Sequence, residues 1–183
     1  MKNKAYDLNT YSFNASEVIL LDTNVWLMLY PAPSGSQSSF ARKYSAGFKR
    51  ILSAKTQVIM DALVLSEYIN RYCRIEWDAL HKGIYREFKK FRSSADFLGV
   101  GNRAAFFARE MLKLSARHDL PFSSIDIEDV LKGFESGSAD LNDGLLAETC
   151  RHHGWKLVTD DGDFKNGGIE VLTTNPRLLA CCL

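Results

Sequence analysis

The residues best suited to chemistry are four acids widely spaced along the chain: Asp22, Glu67, Asp143 and Asp161. Each lies within or directly after an apolar stretch, where an unpaired carboxylate costs free energy. Carboxylates that cluster raise one another's pKa unless a cation joins them. Oxygen-only ligation favours Mg²⁺ or Mn²⁺ over zinc, and no histidine stands beside these acids in a ligand-like position. These residue types therefore predict an acidic metal site.

Two of the four acids follow short apolar runs. Residues 18–21 are all apolar, as in a strand buried on both faces, and Asp22 ends the run. Residues 155–159 lead in the same way into Asp160 and Asp161. Because the carboxyl ends of parallel strands share one edge of a sheet, these acids are predicted to meet there. The alternative for the first acid is a purely structural role as the N-cap of the helix that follows.

The other two acids belong to predicted helices. Glu67 lies in the helix from Ala62 to about Arg74, surrounded by aliphatic residues, and a carboxylate in that setting needs a partner. Asp143 lies in the helix from about Asp140 to His153 and shares a face with the apolar residues three, four and seven positions further on. N-capping explains Asp140 better than it explains Asp143.

Helices and strands alternate along the rest of the chain. Further helices are predicted for residues 40–54, about 102–117 and 128–134, with a helical period through residues 80–91, and further strands for residues 56–60, 122–127 and 169–172. This alternation predicts an α/β fold, a three-layer α/β/α sandwich with a mostly parallel central sheet of four to five strands. Residues 1–183 are interpreted as a single domain, with a helical middle region at about 77–121 and a short C-terminal tail from about residue 175.

Composition excludes several classes of protein. The 183 residues are 46% hydrophobic and 25% charged, as in an ordinary soluble globular protein, and the net charge of +1 does not by itself indicate a polyanionic partner. No apolar window approaches the length of a membrane span, so a cytoplasmic protein with no membrane contact is expected. The four cysteines lack metal-ligand spacing and are predicted to be reduced thiols.

Four motifs together resemble the PIN-domain family of metal-dependent ribonucleases, in their order and in their spread over nearly the whole chain. The motifs are Leu20–Asn24, Val64–Glu67, Asn142–Ala147 and Leu157–Phe164. The last is the most specific of them, because Thr159 precedes its acids and Asp163 with Phe164 closes it. The resemblance implies a PIN-like, Rossmann-like fold. It assigns Asp22, Glu67, Asp143 and Asp161 as the catalytic and metal-binding acids, Asp163 as an auxiliary metal ligand, and Asn24, Thr159 and Asp140 as supporting residues.

The resemblance also implies an activity and partners. The expected function is that of an endoribonuclease that uses Mg²⁺ or Mn²⁺ to hydrolyse RNA phosphodiester bonds, as the toxin of a toxin–antitoxin pair. A small antitoxin protein and a second copy of the chain are then expected partners. One departure weakens the transfer of the toxin role: the material between about Trp77 and Pro121 exceeds what many bacterial PIN toxins carry there.

A strongly acidic site would repel RNA unless basic residues surround it. The segments from Arg42 to Lys55 and from Lys82 to Arg92 are rich in lysine and arginine. Contacts with the phosphate backbone are predicted for four of these residues: Lys49, Arg50, Lys89 and Lys90. The alternative for most of them is that they form only the solvated faces of helices.

Two other functions are considered. A haloacid-dehalogenase-like phosphatase also begins with an aspartate after a hydrophobic strand, but it requires a second acid two residues later, where this chain has Asn24. That alternative also leaves Glu67 and Asp143 unexplained. The second alternative is a PIN-like module that binds RNA without cleaving it, and the complete set of acids argues against it.

Overall fold

A parallel β-sheet forms the centre of the computed structural model, which describes residues 1–36 and 38–182. Within those residues the sheet has six strands: β1 (Lys4–Asp7), β2 (Val18–Leu21), β3 (Gln57–Met60), β4 (Ala116–Arg117), β5 (Lys156–Val158) and β6 (Glu170–Thr173). Their order is β1-β6-β5-β2-β3-β4, and every pairing is parallel. The predicted α/β class is confirmed, but the expected number of four to five strands is too low. The edge strands β1 and β4 lack the long apolar runs by which buried strands are recognised.

Helices cover both faces of the sheet. They are α1 (Thr23–Leu29), α2 (Ala41–Ser53), α3 (Ala62–Glu76), α4 (Phe88–Arg92), α5 (Phe97–Lys113), α6 (Ile127–Glu135), α7 (Leu141–His153) and α8 (Pro176–Cys181). Helix α1 contacts α2 and α3, and α3 contacts α5, whereas α6 and α7 pack against each other. Right-handed crossovers place the connections from β2 to β4 on one face and the return to β5 on the other. This is the predicted three-layer arrangement.

Strand β2 is fully buried, which explains its apolar sequence. Ile19, Leu20 and Leu21 are completely inaccessible, and β2 lies between β3 and β5. The chain leaves β2 toward β3 on one side and later returns to β5 on the other. The carboxyl end of β2 is therefore the topological switch point, the place where open α/β sheets bind ligands.

The predicted strand at residues 122–127 is wrong. Residues 122–124 form a 3₁₀ turn after Pro121, and α6 begins at Ile127. The apolar residues in this segment alternate as in a strand, but Asp126 accepts a hydrogen bond from the Asp129 N–H at 3.1 Å and caps the helix. Local capping therefore overrides the alternating pattern.

The middle and terminal regions also differ in detail from the prediction. The period through residues 80–91 does not form one helix, because a π-helical turn (Trp77–His81) extends α3 and the separate short helix α4 follows. Helix α5 occupies residues 97–113 rather than 102–117, and the middle region ends in the edge strand β4. The tail after residue 175 folds into α8, with Pro176 in its first turn and Leu178 buried.

No helix within residues 1–36 and 38–182 combines the length and apolarity needed to cross a bilayer. All four cysteines are free thiols, and three of them are buried.

Arg50 holds α2 against the segment that follows β1. Its guanidinium donates hydrogen bonds to the carbonyl oxygen atoms of Leu8 and Tyr11, the latter at 3.2 Å, and lies 5.5 Å from the centre of the Phe13 ring. The neighbouring Lys49 is exposed. The two adjacent basic residues therefore have different roles in the fold.

Replacing Arg50 should reduce stability. Arg50→Gln removes charge-assisted hydrogen bonds to carbonyl groups and should cost about 1–3 kcal/mol, a decrease of roughly 3–10 °C in melting temperature for a chain of this size. Lys49→Gln is the matched control and should leave the melting temperature within about 1 °C, because it changes only exposed surface. Equal melting temperatures for both variants in thermal denaturation would show that the Arg50 contacts do not stabilise the fold.

Candidate active site

Asp22 lies at the carboxyl end of β2 and is almost completely buried, with 5% of its surface exposed. It occupies the N-cap position of α1, but its side chain accepts no capping hydrogen bond. Its Oδ2 instead accepts from Thr159 Oγ1 and from Asn24 Nδ2, both at 2.6 Å. The purely structural alternative for Asp22, a helix cap, therefore does not describe the side chain.

Thr159 and Asn24 connect the ends of β2 and β5. Thr159 Oγ1 donates to Asp22, and it accepts from Asn24 Nδ2 at 3.2 Å and from the Asp161 N–H at 3.0 Å. Asn24 Oδ1 also accepts from the Asp160 N–H at 3.2 Å. The two polar residues assigned as supports thus orient Asp22 and fix the backbone that carries the next acids.

Glu67 reaches the site from α3. Its Oε2 accepts from Thr23 Oγ1 at 3.2 Å, and its Oε1 forms an ion pair with Arg71 Nη1 at 3.3 Å, one turn further along the helix. The carboxylate keeps 29% of its surface exposed. The partner expected for a carboxylate in this apolar setting is therefore Arg71. Neither Thr23 nor Arg71 was identified from the sequence.

Asp140 and Asp143 lie at the start of α7. Asp140 is the N-cap of this helix, and its Oδ1 accepts from the Asp143 N–H at 2.8 Å. Asp143 itself is half-buried. Gly144 beside it allows α6 to approach closely, because a Cβ there would lie 2.9 Å from Cγ1 of Val130. The capping role expected of Asp140 is confirmed, and Asp143 has no capping function.

The acids after β5 occupy a loop held by residues that the sequence analysis missed. Tyr44 of α2 donates its hydroxyl to Asp160 Oδ1 at 2.9 Å, and Asn175 Nδ2 donates to the Asp160 carbonyl oxygen at 2.7 Å. Asp161 Oδ1 accepts from the Asp163 N–H at 3.0 Å, and the Asp163 side chain is exposed. Single polar residues in helices have no pattern, so only the position of Asn175 just after β6 could have suggested its role.

The four acids influence one another electrostatically. Burial, together with the charges of Asp161 and Glu67, raises the pKa of Asp22 to about 6, although the hydrogen bond from Thr159 opposes the shift. Burial also raises the pKa of Asp143 to about 8, and the charges of Asp140, Asp22, Asp161 and Glu67 add to the increase. The structure therefore brings Asp22, Glu67, Asp143 and Asp161 from four elements into one acidic group.

This donor set suits a hard divalent cation. Within the described residues, no group of three or more His, Cys, Asp or Glu side chains is arranged so that it could hold a metal ion. The acidic group nevertheless offers carboxylate oxygen atoms alone, and burial, with a smaller contribution from mutual repulsion, raises the pKa values of two of its members. A cation between them would remove that repulsion. The chemistry of these donors therefore suits Mg²⁺ or Mn²⁺, although the side chains are not arranged as a ligand set.

The predicted RNA-binding residues lie outside this acidic group. Lys49 is exposed on α2, and Lys89 and Lys90 are exposed on α4, where Lys90 Nζ pairs with Glu87 Oε1 at 3.2 Å. Arg50, as described above, bonds to backbone carbonyl groups. The end of α2 nearest the acids is its first turn, where Tyr44 contacts Asp160.

The family model of the PIN domain matches residues 19–169, which include all four acids. A chain in the crystal structure of VapBC2 from Rickettsia felis, bound to a DNA fragment from their promoter, has a similar fold at a TM-score of 0.52 and 14% identity, over 85% of this chain and 98% of that one. A chain of FitAcB from Neisseria gonorrhoeae aligns at a TM-score of 0.45 and 20% identity, over 84% of this chain and 96% of that one. No curated protein sequence shows significant similarity to the chain.

The chain belongs to the PIN domain family. The parallel sheet and the acids at its switch point are consistent with this membership, and the similar fold in VapBC2 covers nearly that whole chain. PIN domains are generally nucleases, so membership supports a hydrolytic nuclease function at the level of the family.

Stability without metal should depend on the protonation of Asp143. Its pKa is about 8 in the folded chain against an ordinary 3.8, so folding retains a proton that the unfolded chain releases. The contribution of Asp143 to stability is therefore greatest at low pH and falls as the pH rises from about 4 to about 8. Asp143→Asn removes this loss. With chelator present, the advantage of the variant over wild type in melting temperature should be larger at pH 8 than at pH 5 by about 4 °C, on the order of 1–2 kcal/mol, because solvent screening of the half-buried Asp143 keeps the effect well below that of the full shift.

Asp163→Asn is the matched control, since it neutralises an exposed acid near the same group. Its difference from wild type in thermal denaturation should not change between pH 5 and pH 8. A melting temperature for Asp143→Asn that falls with pH in parallel with wild type would show that Asp143 is not the group responsible.

Proposed function

We propose that the chain is an endoribonuclease that depends on Mg²⁺ or Mn²⁺ and hydrolyses RNA phosphodiester bonds. The observation that carries this proposal is the convergence of four carboxylates from β2, α3, α7 and the loop after β5 at the switch point of the sheet. Family membership supports nuclease chemistry in general, and the oxygen-only donor set supports the choice of metal.

The cation would be held by Asp22, Glu67, Asp143 and Asp161, with Asp163 as an auxiliary ligand. When bound, Mg²⁺ or Mn²⁺ supplies an activated water and neutralises charge on the phosphodiester. The protein residues orient this set. Thr159 and Asn24 fix the direction of the Asp22 carboxylate, because both donate to the same oxygen atom. Arg71 offsets the charge of Glu67 until the site is loaded.

The structure weighs against the phosphatase alternative. The residue two positions after Asp22 donates a hydrogen bond to its carboxylate, so Asn24 serves as a support and cannot act as a second acid. Glu67 and Asp143, which that alternative leaves unexplained, are near enough to Asp22 and to each other to shift pKa values. The remaining alternative, a module that binds RNA without cleaving it, differs from the proposal only in turnover.

We further propose that the chain is the toxin of a toxin–antitoxin pair, with a small antitoxin and a second copy of the chain as partners. The sequence motifs support this role through their resemblance to PIN toxins, and the fold shared with a chain of VapBC2 is compatible with it. The region between α3 and β4 is long. A partner that contacts this region would meet a surface that differs from that of shorter PIN toxins.

Metal-dependent cleavage is the central prediction. Purified protein should cleave single-stranded or structured RNA with Mn²⁺ or Mg²⁺ and should lose this activity in chelator. Asp22→Asn and Asp143→Asn should each reduce cleavage by at least about 100-fold while the protein remains folded, because each removes a charged ligand. Cleavage would be measured by gel electrophoresis of labelled RNA, and folding by circular dichroism.

Two controls separate the alternatives. RNA binding without cleavage in the presence of any divalent cation would identify the chain as the non-catalytic module. Hydrolysis of small phosphate esters without RNA cleavage would instead favour the phosphatase alternative. Induced expression tests the toxin role, since wild type should stop growth and Asp143→Asn should not. Growth that continues despite active enzyme in the cell would remove the toxin role and leave the nuclease.

Basic residues outside the acidic group should contribute to binding rather than turnover. Lys89→Gln combined with Lys90→Gln, and separately Lys49→Gln, should weaken RNA binding and reduce the slope of log K against log salt by about 0.7 per lost phosphate contact. Turnover at saturating RNA should change less than about threefold, because such contacts are shared by the ground and transition states.

Lys4→Gln is the control for the loss of a positive charge alone. Lys4 is the first residue of β1 and lies at the amino ends of the strands, whereas the acids lie at the carboxyl ends. Binding would be measured by fluorescence anisotropy across a salt series. Identical salt slopes for wild type and all the variants would mean that these lysines form only solvated surface. Arg50 is kept out of the comparison because its replacement also alters the fold.

A further inference from the structure

Two histidines meet on the surface away from the acidic group. His118 directly follows β4, and His153 is the last residue of α7. Their Nε2 atoms lie 3.0 Å apart, and both side chains are partly exposed. The proposed nuclease chemistry uses neither residue. The pair is therefore a separate feature of the molecule.

The surroundings hold both rings in place. His153 stacks on Trp155 with a centroid distance of 4.2 Å and an angle of 18°, and His118 packs edge-on against the same indole at 4.8 Å. The His118 N–H donates to the Met60 carbonyl oxygen at 3.2 Å, which fixes its backbone beside β3. The orientation of the two nitrogen atoms is thus set by packing on Trp155 rather than by their contact alone.

The two nitrogen atoms form a hydrogen bond in the metal-free chain, and that bond is bent rather than linear. A linear bond lies along both ring axes, so it would place the centroids about 5.3 Å apart at this nitrogen–nitrogen distance. The observed centroid separation is 4.6 Å, with the ring planes at 89°. At least one nitrogen axis is therefore inclined to the line that joins the two atoms, and both axes are inclined when two imidazoles share one ligand.

The same two distances locate the shared ligand. If the two axes meet at one point, separations of 3.0 Å and 4.6 Å place that point about 2.2 Å from each nitrogen, with an angle of about 90° between the axes. Bonds from imidazole nitrogen to zinc are about 2.0–2.1 Å long. The angle is the one between neighbouring ligands of a square-planar or tetragonal ion such as Cu²⁺ or Ni²⁺, whereas tetrahedral Zn²⁺ would require the two nitrogen atoms to move slightly apart.

We propose that His118 and His153 form a binding site for a divalent transition ion of the kind that accepts imidazole, such as Zn²⁺, Ni²⁺ or Cu²⁺. Water completes the coordination, because no third His, Cys, Asp or Glu side chain among the described residues joins the pair. The site differs in kind from the acidic group, whose oxygen ligands suit Mg²⁺ and Mn²⁺.

The ion would connect two parts of the chain that are far apart in sequence. It would link the end of the middle region, at β4, to the last turn of α7, whose first turn carries Asp140 and Asp143. A bridge of this kind stabilises the folded chain by an amount that grows with the logarithm of the ion concentration above the dissociation constant, because the unfolded chain does not hold the two rings together. Stability, rather than cleavage, is the property that the ion should change.

The test uses the full chain and reads the metal directly. Cu²⁺ at less than one equivalent, with Mg²⁺ in excess to occupy the carboxylates, should give an electron spin-echo modulation pattern from two imidazoles. Zn²⁺ should bind with one-to-one stoichiometry in calorimetry and raise the melting temperature. His118→Asn and His153→Asn should each weaken Zn²⁺ binding at least tenfold and reduce the copper pattern to one imidazole or none.

His81→Asn is the matched control, because His81 stacks on Phe91 and does not contact the pair, whereas the His152 ring packs edge-on against His153 at 4.8 Å. The His81→Asn variant should bind Zn²⁺ as wild type does. A wild-type copper pattern from a single imidazole would overturn the proposal, and so would Zn²⁺ affinity that survives in His118→Asn. The copper measurement needs no variant, so it decides the question even if a substitution prevents folding. None of these readouts depends on RNA cleavage.

Discussion

The site depends on one hydrogen bond, from Thr159 Oγ1 to Asp22 Oδ2 at 2.6 Å. It joins the carboxyl ends of neighbouring strands β2 and β5 at the point where the order of the sheet reverses. A carboxylate with 5% exposure needs a donor to keep its charge, and this donor opposes the increase in pKa that burial imposes. Because the same hydroxyl accepts from the Asp161 N–H, the bond positions two acids together.

The burial of apolar residues stabilises the fold and offsets the repulsion between the carboxylates of the site. The apolar residues of the strands that lead to the acids are buried. The acids themselves cannot all ionise easily, so one of them retains its proton to a higher pH than usual in the absence of metal. Such a site reduces the stability of the free protein and favours ligand binding, as is common in active sites. The pairing of Glu67 with Arg71 partly offsets the negative charge of the group.

Sequence patterns predicted the parts of this structure that depend on long apolar runs. Strands β2 and β5 were predicted correctly, because a short apolar run that ends abruptly at a carboxylate is typical of a buried strand and its carboxyl end. Tyr44 and Asn175 could not be found in this way, because a single polar residue carries no period and its partner lies more than a hundred positions or a whole loop away. Residues 122–127 were predicted wrongly because a capping aspartate decided their conformation.

The distance along the chain between the partners of the central hydrogen bond determines when the site forms during synthesis. Thr159 and Asp22 are 137 positions apart, so β2 remains without one of its two neighbours until most of the protein has been made. Strand β6 and the hydrogen bond from Asn175 to Asp160 come later still. A nascent chain on the ribosome therefore lacks the assembled acidic group until the residues from Thr159 to Asn175 have emerged. Under the proposed function, the chain would acquire its active site only after that stretch has been translated.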